Sequence, residues 1–432
     1  MTTQPSSESV PSPWRPVFSG EVAARLLEIV DEIASATASG PFEPPDNVHP
    51  GVAPAWQYGL DGLAGQSLLQ AYLALHGAGE ARADAAIDLL DRATDAAGTL
   101  TFPPSLYFGF SGISWVAAHL GGRLFEESED NGLEVDEALL GALASPAWSG
   151  KYDLFDGLVG IGVYALERLP RTSGERLLER VITRLAAQAE HRADGAAFFT
   201  PRDMLEPDYH ARFPNGTYNL GMAHGASGVV SLLGAACRAG VAVAQARPLL
   251  VDAVSWLLAR ERDAGCEFRF LSTYTPERDA DIGRLCWCHG DLPVATALLN
   301  AARALDEPAW EAHARRVALA AAARPVETTY VPDAGICHGA AGIGHCLNRL
   351  YQATGESQLG EAARGWLLRA AAMREPGEGI GGYRMFQAGR RYLHPGLRIG
   401  SSGVGLALLA AISPIAPDWD RILMSSTVTG ST

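Results

Sequence analysis

A Gly-x-x-Gly motif recurs along this chain, each time just ahead of an apolar helical run, and it restricts the fold more than any other feature. It reads GLAG at 62–65, GFSG at 109–112, GLVG at 157–160, GASG at 225–228, GAAG at 339–342 and GSSG at 400–403. A degenerate copy, GDLP at 290–293, falls between the fourth and fifth of these. The seven units are spaced by roughly 45 to 70 residues, a period that belongs to repeat architectures. Length alone, 432 residues, would suggest about three domains. The repeat argues for one.

Each motif leads into a helix with apolar residues at i, i+3, i+4 and i+7, as in LAGQSLLQAYLAL and SGVVSLLGAA. Ahead of each lies a second, more charged amphipathic helix, from EVAARLLEIVDEIASA in the first unit to QLGEAARGWLLRAAAM in the last. Seven inner and seven outer helices predict an all-α fold, an α/α toroid, as a single domain over residues 21–424. The glycines are expected to let inner-helix ends pack closely. Residues 1–20, polar and rich in Ser and Pro, are expected as a disordered tail, and 425–432 as a C-terminal tail. Two connections, 193–220 and 263–287, are long and rich in turns and aromatics. Long loops in a compact domain usually carry function, and both run into units that bear His or Cys.

Composition narrows the function. A chain that is 47% hydrophobic can bury a large core, and a net charge of -15 argues against a nucleic-acid partner, which would call for a basic stripe. No signal-peptide pattern and no apolar run near the roughly 20 residues of a membrane span are present, so a cytoplasmic protein is expected. Six cysteines in a large chain without a secretion signal are expected as thiols or metal ligands. Cys237 and Cys346, inside apolar helical patterns, are expected as buried small residues.

Three units carry metal-type or acid–base residues at one position relative to their glycines. The fourth reads GMAHGASG, with His224; the fifth CWCHGDLP, with Cys286, Cys288 and His289; the sixth CHGAAG, with Cys337 and His338. In a closed ring, equivalent positions of neighbouring units meet at one end. Cys288, Cys337 and His338 could then supply three ligands, and three ligands with one open position is the pattern of a catalytic zinc site. A fourth ligand, if there is one, would come from His289 or Cys286, or less readily from His345.

The motifs CWCHG, GICHGAAGIG, FPNGTYNLGMAHGASG and KYDLFDGLVGIG resemble those of the lanthionine synthetase C-like family, the lanthipeptide cyclases, and the similarity runs over essentially the whole chain. The resemblance implies an α/α toroid with one Zn²⁺ per chain held by Cys288, Cys337 and His338. It implies an acid–base His224, an Asp153 at the start of DLFDGLVG, and a further active-site Arg284. Here the chain departs from the family's Trp-Cys-Tyr-Gly motif: His289 stands where the tyrosine is common, and is expected to replace its hydroxyl as a proton donor.

The implied reaction adds a peptide cysteine thiol to the β-carbon of a dehydroalanine or dehydrobutyrine, giving a thioether ring. A free thiol is mostly protonated at neutral pH and a metal-bound one is not. His224 would move protons in the useful range, Asp153 would orient it, and Arg284 would hold the enolate oxygen or the Asp. The implied partner is a dehydrated precursor peptide with its leader, with a separate dehydratase supplying the dehydro residues. Addition of glutathione to dehydroamino acids in proteins would use the same residues, and a non-catalytic binding scaffold would have lost them. A prenyltransferase-like toroid would need a basic diphosphate cluster, and none lies near the zinc motifs.

Overall fold

The computed structural model describes residues 14–38, 40, 42–43, 53–126, 130, 132–145, 150–276, 283–387 and 389–426. Seven inner helices follow the glycine motifs: α3 (Leu63–Leu73), α5 (Phe110–Leu120), α7 (Leu158–Glu167), α9 (Ala226–Arg238), α11 (Asp291–Leu305), α13 (Ala340–Thr354) and α15 (Ser401–Ile412). Each packs on the next, and α15 packs back on α3, so the ring closes. The outer helices are α1 (Gly20–Thr37), α4 (Glu80–Thr99), α6 (Leu133–Ala144), α8 (Thr172–Gln188), α10 (Val243–Leu258), α12 (Pro308–Ala322) and α14 (Ser357–Ala372). A short α2 (Ala53–Tyr58) precedes the first inner helix. The expected α/α toroid is the observed fold.

Burial follows the two layers. In α8 the buried residues Leu177, Leu178, Val181, Ile182 and Leu185 form one stripe, as a helix with one solvent face must. In α13 every residue from Ala340 to Leu350 is buried, because the outer layer covers one side and the bore filling the other. Each buried Leu, Ile or Val contributes about 2 kcal/mol.

The hairpins pair differently from the order in which they were read. Five inner helices pack on the outer helix that follows: α3 on α4, α7 on α8, α9 on α10, α11 on α12 and α13 on α14; α5 instead packs on α4, which precedes it, and α6 packs on α8. The physical reason is loop length. An inner helix reaches the next outer one through a few residues, such as Gly355 and Glu356 between α13 and α14, and short connections make antiparallel neighbours. The outer helix left over, α1, packs on α15 and so joins the two ends of the chain. The long outer-to-inner connections all gather at the other end of the ring, at the inner-helix N-termini.

Part of the expected tail is ordered. Trp14 is buried, its indole N–H donates to the Ala410 carbonyl at 2.9 Å, and the Val17 and Phe18 amides donate to Ala411 O. Residues 14–19 are therefore a strap across the end of α15, and 1–13 lie outside the described residues. At the other terminus a 3₁₀ segment, Asp418–Leu423, lies across the bore. Its Asp420 accepts from His345 Nε2 at 2.6 Å and from Arg349 at 2.8 Å, while the Ile422 and Leu423 carbonyls accept from Tyr107 and Trp287. Ser425 and Ser426, assigned above to the C-terminal tail, hydrogen-bond Asp420, and 427–432 lie outside the described residues.

The two long connections are not structureless. They contribute β1 (Glu190–Arg192) with β2 (Gly195–Ala197), and a three-stranded sheet of β3 (Phe199–Thr200), β4 (Thr217–Asn219) and β5 (Thr273–Tyr274) in antiparallel register Phe199–Tyr218–Tyr274. A hairpin of β6 (Met385–Gln387) and β7 (Arg390–Tyr392) follows α14. Cys346 is buried as expected; Cys237 is only half-buried, because it sits in the last turn of α9.

Candidate metal and acid–base site

The glycines shape the site loops as well as the close packing of neighbouring units expected of them: a Cβ on Gly160 would lie 2.8 Å from Leu106 Cβ, and one on Gly403 2.7 Å from Ile336 Cγ1. A Cβ on Gly342 would stand 1.8 Å from the carbonyl oxygen of Ile336, in its own entry loop. The loop thus folds back over the first turn of the helix, and the two residues before the first glycine are turned toward the axis.

Backbone hydrogen bonds then join the loops around the ring. The residue two places before the first glycine in each unit is Leu60, Tyr107, Phe155, Ala223, Cys288, Cys337 and Arg398 in turn. Tyr107 N–H donates to Phe155 O, Leu154 to Ala223 O, Met222 to Cys288 O, Cys288 to Cys337 O, Cys337 to Arg398 O and Leu397 to Leu60 O. This belt fixes which side chains are neighbours with no help from a ligand. Gly221 admits one of the crossings, since a Cβ there would lie 2.1 Å from the Cys288 carbonyl.

Two of the expected ligands, Cys288 and Cys337, are neighbours on this belt, and the third, His338, follows Cys337 in sequence. Cys288 and Cys337 share a side-chain hydrogen bond, and Cys337 shares another with His338. His338 Nε2 donates to the Phe386 carbonyl of β6 at 3.2 Å, which leaves Nδ1 for the bond with Cys337. Asp333 stands behind, 3.8 Å from Nε2, and is itself fixed by the Gly335 and Phe386 amides at 2.9 and 2.8 Å. Among the described residues, the three donor atoms that cluster belong to a different set, without Cys337 or His338. The donor atoms of Cys286, Cys288 and His289 all lie within 4.8 Å of one another, with Cys286 Sγ 3.5 Å and His289 Nδ1 3.2 Å from Cys288 Sγ. His345 does not join; it is committed to Asp420.

These groups polarise one another. The hydrogen bond from Cys288, against the cost of burial, holds the Cys337 thiol well below its ordinary pKa. Bonding to Cys286 and Cys337 together with burial holds Cys288 well above its own. Burial would lower His338, but its bond to Cys337 and the charges of Cys337 and Asp333 outweigh that and raise it to about 9. His289 is raised against burial by Cys286, and Arg284 is close enough to oppose the shift. A buried set of thiols and imidazoles is the donor chemistry that suits Zn²⁺.

The expected acid–base residues pair with each other in the neighbouring third and fourth units. His224 Nδ1 donates to Asp153 Oδ2 at 2.7 Å, and Asp153 Oδ1 accepts the Asp156 amide at 2.8 Å. Asp153 is buried while the His224 side chain is 47% exposed, so Nε2 carries its lone pair toward solvent. Phe155 supports the ring edge-on at 4.6 Å. Beside Asp153 a cavity of about 260 Å³ is walled by Lys151, Tyr152, Glu190, Phe199 and Met204, so the 193–220 connection borders the dyad. Sequence reasoning missed Asp333, the Phe386 carbonyl and an ion pair between Arg398 and Asp61; Asp333 sits six residues before its glycine, the offset at which Arg284 stands in the preceding unit.

The sequence profile described as "Lanthionine synthetase C-like protein" matches residues 59–424. A solved structure named "Nisin cyclase" is similar with a TM-score of 0.72 at 17% sequence identity, over 94% of this chain and 98% of that one. No curated protein matches.

Proposed function

The chain belongs to the lanthionine synthetase C-like family, and from that membership and the site we propose that it is a zinc-dependent lanthipeptide cyclase. It would form lanthionine and methyllanthionine rings by adding peptide Cys thiols to dehydroalanine or dehydrobutyrine. The observation that supports the proposal is that Cys288 and Cys337 are neighbours on the belt that also carries Phe155 and Ala223, which flank the exposed His224–Asp153 dyad. The name of the similar fold, a cyclase, agrees with it.

Cys288, Cys337 and His338 would hold the zinc, with the Phe386 carbonyl and Asp333 orienting His338. Bound there, zinc supplies a thiolate from the substrate thiol at neutral pH. His224 Nε2 accepts the proton of the entering thiol and returns one to the α-carbon after sulfur has added to the β-carbon. Asp153 keeps the imidazole in the tautomer that does this. His289 stands beside Cys288 as a second proton donor, and Arg284 acts on its charge.

The substrate is a dehydrated precursor peptide, recognised through its leader, and a separate dehydratase supplies it. Among the described residues no helix is long and apolar enough to cross a membrane. Six free cysteines suit a reducing, cytoplasmic setting.

Cyclisation leaves peptide mass unchanged and removes one alkylatable thiol per ring. Mass spectrometry of a dehydrated Cys-containing peptide, alkylated after incubation with the protein, is expected to show that loss with the native chain and none with Cys337→Ala. A thiol that stays alkylatable would refute the cyclase reading, and a glutathione adduct would reassign the nucleophile.

A further inference from the structure

Of the seven belt residues, one carries a permanent charge. Leu60, Tyr107, Phe155 and Ala223 are apolar or aromatic, Cys288 and Cys337 are thiols, and the seventh is Arg398. Arg398 occupies the register position of the two cysteines, and its carbonyl accepts the Cys337 amide at 2.8 Å. Its side chain is 12% exposed.

One edge of the guanidinium is locked. Nε and Nη2 both donate to Asp61 Oδ2, at 3.1 and 2.6 Å, and the Arg398 amide donates to Asp61 Oδ1 at 3.2 Å. Asp61 stands immediately before its glycine, where His224, His289 and His338 stand in their units. The guanidinium carbon lies 5.0 Å from the ring centroid of Phe155, the same ring that supports His224, and 5.8 Å from that of Phe108. The cation therefore reaches from the seventh unit across to the third. Nη1 has no protein partner among the described residues, and it is not one of the sealed, unpartnered polar atoms of the interior. Burial opposes the charge, but Asp61, and then Cys337, hold Arg398 above the ordinary arginine range.

A purely structural role is weakly motivated. The junction between the seventh and first units already has the Leu397–Leu60 backbone bond, and a buried ion pair adds little stability over apolar packing. We propose that Arg398 is a catalytic residue whose Nη1 donates to the carbonyl oxygen of the dehydro residue, with Asp61 as its positioning residue. This rests on the cyclase reading. As the C–S bond forms, the C=C electron pair moves to make an enolate whose charge falls on that oxygen. His224 then returns the thiol's proton to the α-carbon, so no further reactant is consumed. A pre-oriented donor at a developing oxyanion accelerates such a step by about 10²- to 10³-fold.

The test uses the zinc-loaded full chain and a dehydrated peptide. Arg398→Ala is expected to lower kcat by about 10²-fold or more, with zinc content unchanged and KM within about threefold. Arg398→Lys should recover about a tenth of the native rate, and low millimolar guanidinium should partly restore Arg398→Ala but not Arg398→Ala/Asp61→Asn. Rescue by guanidinium is a readout that a ring-closing ion pair would not give. An Arg398→Ala enzyme with near-native kcat, or one whose loss follows zinc loss and resists guanidinium, would overturn the assignment. A native, zinc-loaded chain that makes no thioether overturns the cyclase reading and this one with it, whereas an active native chain beside indifferent variants overturns only the role of Arg398.

Discussion

Two histidine–carboxylate pairs stand at opposite ends of the same inner ring. His224, just before α9, bonds Asp153 at 2.7 Å and is 47% exposed. His119, in the last turn of α5, bonds Glu167 at 2.9 Å and is fully buried, with its second nitrogen on the Tyr72 hydroxyl at 2.9 Å. Trp115 stacks on it at 4.5 Å. The dyads are chemically alike, yet His119 has both nitrogens spent and His224 has one to offer. What makes the first a fastener and the second a reagent is the company each end of the ring keeps. The inner-helix C-termini are sealed by short turns, the Trp14 strap and the Asp418–Leu423 segment. The N-termini carry the long loops, and there the His224 imidazole stays accessible.

Substitution should separate the two. His224→Ala is expected to lower kcat by about 10²- to 10⁴-fold while leaving the denaturation midpoint near native. His119→Ala should do the reverse. It removes the imidazole from the buried Tyr72 hydroxyl and from the Glu167 carboxylate, which keeps Arg123 and Arg421 at 3.6 Å, for a loss of about 2 kcal/mol by denaturant titration, with kcat per folded molecule within about twofold of native. An inactive but stable His119→Ala enzyme would erase the distinction.

Asp153→Asn sharpens it further. The amide oxygen can still accept the Asp156 amide, so the loop persists, but the carboxylate that fixes the His224 tautomer is gone. The expected loss is about 10²-fold in kcat, with little change in KM. Steady-state kinetics against pH should show the basic group of the kcat profile shifted as well.

A pH effect concerns a third histidine. His394 is buried at the site end and lacks a carboxylate hydrogen bond; its Nδ1 accepts the Gly396 amide at 3.2 Å. Burial pushes it from 6.5 down to about 4. The unfolded chain therefore binds a proton in that window that the folded chain refuses. Stability should fall as pH drops from about 6.5 toward 4, by at most about 1.4 kcal/mol per pH unit, and the contribution should level off below 4. His394→Gln should flatten that part of the stability–pH curve; an unchanged slope would show that another group titrates.

Much of this was legible in the sequence, for identifiable reasons. The ring was readable because Gly-x-x-Gly and helical periodicity recur together, and the candidate site residues because Cys288, Cys337, His224 and His338 stand at fixed offsets from those glycines. Asp153 sits four places before its glycine, off the shared register, and came only through the family resemblance. The hairpin partners were misassigned because connection length, not order along the chain, decides which helices pack. Strands of two or three residues, such as β3 and β6, carry too little alternation to read, so the carbonyl that orients His338 was invisible. Arg398 was in register all along, but an arginine was not among the residue types sought at a metal position.

On the proposed reading the belt brings ligands from two adjacent units, Cys288 and Cys337, onto one zinc. The direct test is metal content of the purified Cys288→Ala, Cys337→Ala and Cys286→Ala proteins. Cys286 and His289 stand nearest to Cys288, so a local Cys286–Cys288–His289 site is the rival. Zinc near one equivalent in Cys286→Ala, and near zero in both Cys288→Ala and Cys337→Ala, is the predicted result. Zinc retained in Cys337→Ala and lost in Cys286→Ala would contradict it.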